Sequence, residues 1–129
     1  FLLFAANEGD ASNQCCLGKI YLMLGEKKKG YHWIHTAALQ EEKVAQYNMG
    51  YICSKYKKPY KCYIWTKLSA ENNYSLAQYS LAQMYSVGGD KIPKNHKLAI
   101  KWYNRAAKRG HKDAVNILDQ FKITKCVKK

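Results

Sequence analysis

Small and apolar residues return every fourth position along several stretches of this chain. Ala45, Met49 and Cys53 form one such row, Ala77, Leu81 and Tyr85 a second, and Asn13, Leu17 and Tyr21 a weaker third. Residues four apart stand above one another on a helix, so each row predicts a helix with one inward stripe. A second set repeats the logic with Tyr60, Ile64, Trp65 and Leu68, and with Leu98, Trp102, Tyr103 and Ala106. Gly25 to Gly30, Lys58-Pro59, and Gly88-Gly89 to Pro93 separate the first kind of helix from the second. Gly9, Gly110 and the polar run Glu71-Asn72-Asn73 close each pair. The pattern predicts helices at 11–24, 30–40, 43–56, 60–71, 75–86, 95–108 and 111–121, with a partial helix at 1–7.

The pairs are copies of one unit. Trp33, Trp65 and Trp102 stand 32 and 37 residues apart, each followed by small residues: Ala37-Ala38, Ser69-Ala70 and Ala106-Ala107. Leu17-Gly18, Met49-Gly50, Leu81-Ala82 and Leu118-Asp119 recur with the same spacings. A period of this length with two helices per unit predicts an all-α, right-handed α/α solenoid of antiparallel helix pairs. It holds about three full repeats, a partial N-terminal helix and a C-terminal capping helix. Gly18, Gly50 and Ala82 are small where a first helix must approach its own second helix. Asp119 takes that position in the last unit, where no second helix follows. The three tryptophans, with Phe1 at the same register, are expected at equivalent, largely buried sites. Residues 1–121 read as the solenoid and 122–129 as a basic tail. Phe1, Ala5 and Ala6 fall on Trp33, Ala37 and Ala38, so the first residues read as a second helix rather than the end of a signal peptide. The chain is therefore expected to be the C-terminal part of a longer one.

The third unit resembles the Sel-one-like repeat family, shorter cousins of tetratricopeptide repeats. It carries Ala77, Leu81-Ala82 and Tyr85, then Gly88-Gly89, Asn95, Lys97, Ala99, Trp102-Tyr103 and Ala106-Ala107. These match the family's A-x-x-x-L-G-x-x-Y, G-V-x-x-D and K-A-x-x-W-Y-x-x-A-A pattern, with Asn95 replacing Asp. The first two units lack the longer internal loop, which accounts for the shorter period. The resemblance implies adaptors and scaffolds, including bacterial effector–immunity pairs. A disulfide-bridged branch of the family has Cys where Ala70, Ala77, Ala107 and Ala114 stand here, so its staple is absent. The penicillin-binding or hydrolase activity associated with that branch is not expected.

Charge sharpens the picture. Twenty-two Lys and Arg against nine Asp and Glu give +13, a field that favours acidic proteins, anionic headgroups or nucleic acid as encounter partners. Lys27, Lys28 and Lys29, then Lys57, Lys58 and Lys61, then Lys91 and Lys94 fall on the turns inside successive units. They should gather along one basic edge. By analogy with tetratricopeptide geometry, Lys19, Tyr47, Tyr51, Lys55, Tyr79 and Gln83 face a concave groove. Its tyrosines suit protein recognition, offering rigid area with a polar tip.

Chemistry is scarce beside this. His32 and His35 share a helical face without a carboxylate or third ligand, so no metal is expected. No phosphate-binding loop, paired carboxylates or Ser/His/Asp arrangement is legible, and no cofactor is expected. Five cysteines cannot all pair internally, and Cys53 and Cys62, flanking one turn, are the only pair placed to bridge. The cysteine usage slightly favours the cytoplasm, with a periplasmic or secreted setting also open. The expected function is a non-catalytic protein–protein interaction module, an adaptor or inhibitor with an acidic protein partner and no small-molecule substrate. Binding of nucleic acid or anionic membrane through the lysine edge is the alternative, and a hydrolase the remotest. With only Arg105 and Arg109, bidentate phosphate or base readout is poorly served.

Overall fold

The computed structural model describes residues 2–127, with side chains described through Gln120. The helices are α1 (Leu2–Asn7), α2 (Ala11–Met23), α3 (Lys27–Leu39), α4 (Lys43–Lys55), α5 (Pro59–Glu71), α6 (Ser75–Val87), α7 (His96–Lys108) and α8 (Lys112–Val127). Each of α2, α4 and α6 packs most extensively on the helix that follows it, and each pair stacks on the next. The architecture is an α/α solenoid of antiparallel helix pairs. Among the described residues no helix is long and apolar enough to cross a membrane.

Every unit ends in the same turn. Gly9, Glu41, Asn73 and Gly110 all have positive φ. The N–H groups of these residues and of their successors Asp10, Glu42, Tyr74 and His111 bond back to the last turn of the preceding helix. The pair Gly9 N to Ala6 O (3.1 Å) and Asp10 N to Ala5 O (3.4 Å) recurs as Glu41 to Ala38 and Glu42 to Ala37, both in register with the repeat. Asn73 to Ala70, Tyr74 to Ser69, Gly110 to Ala107 and His111 to Ala106 complete the set. This is the Schellman arrangement, which satisfies the orphan carbonyls at a helix end. The next helix is then capped: Asp10 accepts from Asn13 N, Glu42 from Ala45 N, and His111 Nδ1 from Ala114 N. Asn95 does the same for α7 inside the third unit. Pro59 opens α5, where its missing N–H is no loss.

A polar row crosses the junctions between units. Gln14 and Gln78 are buried and donate to Ala6 O (2.9 Å) and Ala70 O (3.2 Å), and Gln46 is buried at the equivalent position.

Three expectations need correction. Gly30 read as a turn residue, yet α3 begins at Lys27 and Gly30 lies inside it. A Cβ on Gly30 would come within 2.9 Å of Gly18 O, and one on Gly18 within 2.9 Å of Gly30 O. The glycine thus marks a close helix crossing, not a break. Trp102 is buried, but Trp33 and Trp65 are only half-buried. Arg105 lies 4.6 Å over the Trp102 ring and covers it; Thr36 and Leu68 hold that position in the earlier units. Phe1 lies outside the described residues. Finally, α8 extends past 121 to Val127, because nothing in that stretch breaks the helical backbone. The side chains of the tail at 122–129, Cys126 included, lie outside the described residues.

The third unit's extra residues form an ordered loop. Gly88, with φ of 72°, stops α6, and Gly89 and Ile92 exchange backbone hydrogen bonds of 3.0 Å. Asn95 N donates to Tyr85 O at 2.8 Å, and Ile92 is buried beneath the loop.

Candidate protein-binding faces

The first-helix face carries a pocket of about 390 Å³ between α4 and α6. Tyr47, Tyr51 and Ser54 line it from α4, and Ser80, Gln83, Met84 and Val87 from α6. Gly88 and Ile92 of the inserted loop close one end, and Cys62 and Thr66 of α5 lie at its back. Tyr51 is 57% exposed, and Lys55 Nζ sits 4.9 Å from its ring centroid. Tyr47 is held edge-on against Tyr74 at 5.4 Å.

Of the residues expected at a groove, Tyr47, Tyr51 and Gln83 come together here, with Lys55 at the margin. Tyr79 does not line this pocket. Its ring stacks on His111 at 4.5 Å and packs against Tyr103, while Gln83 Nε2 donates to its hydroxyl at 3.2 Å. Tyr79 thus anchors α6 to the next pair. Lys19 is exposed on α2, one unit away from the pocket.

A larger depression of about 820 Å³ lies on the other side, between the second helices α3 and α5. Met49, Ile52 and Cys53 of α4 form its floor, and Tyr31, His32 and His35 one wall. Tyr60, Ile64, Trp65 and Leu68 make the other wall, with Tyr56 beside the turn. Tyr60, Ile64 and Leu68 are all exposed. Tyr56 donates to the Tyr31 hydroxyl at 3.1 Å, and that bond leads the effects that raise the Tyr31 phenol above its usual value.

One substitution within the repeat explains this opening. Cys53 occupies the position of Tyr85 in the next unit and Tyr21 in the previous one. Tyr85 is buried and shares a 3.0 Å hydrogen bond with Tyr63. Burial, then the bond to Tyr63, push its phenol well above the usual range. The equivalent ring is missing at Cys53, so the space stays open. Sequence reasoning overlooked this face, although a Cys standing where the unit carries Tyr was the available signal.

Half of the lysines expected at a basic edge lie on the same side. Lys28, Lys58 and Lys61 border the larger depression, and Lys58, Lys61 and Lys91 a smaller one of about 210 Å³ with Asp90. Lys27, Lys29, Lys57 and Lys94 are exposed on the same turns. Lys29 lies 5.6 Å from the Tyr21 ring and Lys91 5.8 Å from the Tyr60 ring. Lys27, Lys28 and Lys61 occupy first turns of helices, where the dipole disfavours cations.

Cys15, Cys16, Cys53 and Cys62 are free thiols. Burial pushes Cys53 and Cys62 above the usual thiol range and Cys15 to about 11, which keeps these three protonated and unreactive near neutrality. Among the described residues no group of three or more His, Cys, Asp or Glu side chains could hold a metal ion.

The family model for the Sel1 repeat matches residues 43–74 and 75–111. The chain belongs to the Sel1 repeat family. Its fold is similar to a Sel1 repeat protein from Oxalobacter formigenes, with a TM-score of 0.86 and 27% identity over 92% of this chain and 95% of that one. It is also similar to c5321 of uropathogenic Escherichia coli, a protective antigen displaying an SLR fold. That match has a TM-score of 0.78 and 30% identity over 88% of this chain, which spans 26% of the antigen's. No curated protein matches the chain. Sel1 repeats are commonly protein–protein interaction modules.

Proposed function

We propose that this Sel1 repeat chain is a non-catalytic adaptor or inhibitor that grips a protein partner on its first-helix face. The observation that carries the reading is the convergence of Tyr47, Tyr51 and Gln83, from two successive first helices, on one open pocket. Tyr51 supplies the exposed aromatic anchor and Lys55 a cation at the rim. A chain of charge +13 is suited to fast, steered capture of an acidic protein, as an immunity protein captures an effector.

The test is affinity capture from source cells followed by binding kinetics on the recovered partner. Tyr51→Ala should raise the off-rate, with a loss of about 2 kcal/mol in affinity, and leave the melting temperature nearly unchanged. A partner that Tyr51→Ala holds as tightly as the parent chain does removes the first-helix face from consideration.

A further inference from the structure

We propose that the depression between α3 and α5 is a second docking site, for a short acidic segment of a protein partner with aliphatic or aromatic anchors. It is distinct from the first-helix pocket and does not depend on it.

Charge complementarity selects the occupant. The walls and floor are apolar or aromatic, and Lys28, Lys58 and Lys61 crowd one end. Among the described residues no Asp or Glu lines the depression. A second copy of the chain would bring another +13 to this surface, so self-association is opposed. The site also has a direction. Lys28, Lys58 and Lys61 stand at the N-terminal ends of α3 and α5, whereas Trp65 and Leu68 lie toward the far end of α5. From Lys58 to Leu68 the wall runs about 15 Å at ~1.5 Å per residue. Carboxylates of the bound segment meet the lysines, and its apolar side chains lie farther along, over Met49, Ile52 and Trp65.

The opening is built into the sequence of one unit. Where Tyr85 fills the corresponding space at the next junction, Cys53 leaves it empty. Tyr31, the counterpart of Tyr63, accepts a hydrogen bond from Tyr56 instead. Restoring the unit's own residue with Cys53→Tyr should refill the space without disturbing the helices.

The experiment is a display selection with random peptides of about ten residues, the length that spans 15 Å as a helix. The full chain carrying Tyr51→Ala serves as bait, so binders to the first-helix pocket are disfavoured. One enriched peptide, fluorescently labelled, is then titrated by anisotropy against the parent chain and two variants. We expect enriched peptides to combine Asp or Glu with Leu, Ile, Phe or Trp, and Trp65 emission to change on binding. Cys53→Tyr, and separately the triple Lys28→Glu, Lys58→Glu, Lys61→Glu, should each weaken binding by about tenfold or more. If Cys53→Tyr fails to fold, Leu68→Glu replaces it.

Four binding results overturn the proposal, and one hydrodynamic result does so too. The four are no enrichment, enrichment of peptides without acids, binding by acids alone without apolar anchors, and affinity unchanged in both variants. A dimer in sedimentation that Cys53→Tyr abolishes also overturns it, because the occupant would then be a second copy.

Discussion

Gly18→Ala should weaken the first helix pair even though alanine is the better helix former. In a helix interior that exchange gains about 1 kcal/mol. At Gly18, however, the added Cβ would stand 2.5 Å from Ile34 Cγ1, 2.9 Å from Gly30 O and 3.0 Å from Ile34 N. Two of these atoms are backbone of the facing helix, so relief requires α2 and α3 to separate. Ile34 is fully buried and cannot swing away. Overpacking costs ~1–3 kcal/mol, and the backbone contacts put this site at the upper end. A net loss of about 1–2 kcal/mol lowers the melting temperature by roughly 3–10 °C in a domain of this size. Gly50→Ala is the control. There the nearest atom is the Thr66 hydroxyl at 2.8 Å, and the next is Cys62 O at 3.4 Å. Ala82 fills the same position in the third unit. Gly50→Ala should therefore stay within about 0.5 kcal/mol of the parent, and a Thr66→Ala background should recover the ~1 kcal/mol helix gain. Thermal and urea unfolding followed by circular dichroism measure both. A Gly18→Ala protein that melts at or above the parent temperature refutes the close crossing.

Glu41 holds a left-handed conformation that glycine adopts freely, so Glu41→Gly should stabilise by about 0.5–1 kcal/mol in urea titrations; Gly110→Ala should do the reverse. Tyr85→Phe strands the buried Tyr63 hydroxyl and should cost ~1–2 kcal/mol, and the Tyr63→Phe, Tyr85→Phe double variant should cost less than the sum of the two singles. The raised Tyr85 phenol contributes stability that is present below its ordinary value of 10.0 and lost as pH climbs toward its folded value. Unfolding free energy should therefore decline above about pH 10, and less steeply in Tyr85→Phe. Cys15 has the same sign: its share is intact below 9.0 and lost as pH rises through about 11. Iodoacetamide at mildly alkaline pH, read by peptide mass spectrometry, should label exposed Cys16 well before Cys15.

The solenoid was legible because the unit repeats itself. One mis-read residue such as Gly30 could not shift elements that three copies place independently. The junction turns were partly legible, since Gly9 and Gly110 announce them. Glu41 does not, because it tolerates a conformation that only its neighbours' hydrogen bonds reveal. Positional analogy brought Tyr47, Tyr51 and Gln83 to one pocket, but not Tyr79, whose stacking on His111 depends on a turn between units. The second-helix depression stayed hidden for a different reason. It arises from what Cys53 lacks relative to Tyr85, and periodicity marks the residues that match more readily than the volume a mismatch leaves behind.

The buried glutamines at the junctions have a consequence for how such a chain can grow. Gln14 and Gln78 each reach the carbonyl of the second small residue closing the previous unit. A neighbour seated one helical position out of step would strand an amide in an apolar seam, which is costly. Both of these junctions therefore accept a single seating, chosen by chemistry carried within the units that meet there. A duplicated copy of residues 43–74, inserted after 74, would present its own glutamine to Ala70 and its own small pair to Gln78. Lengthening by whole units is thus open to this chain, whereas an insertion of a few residues inside α2 or α6 is not.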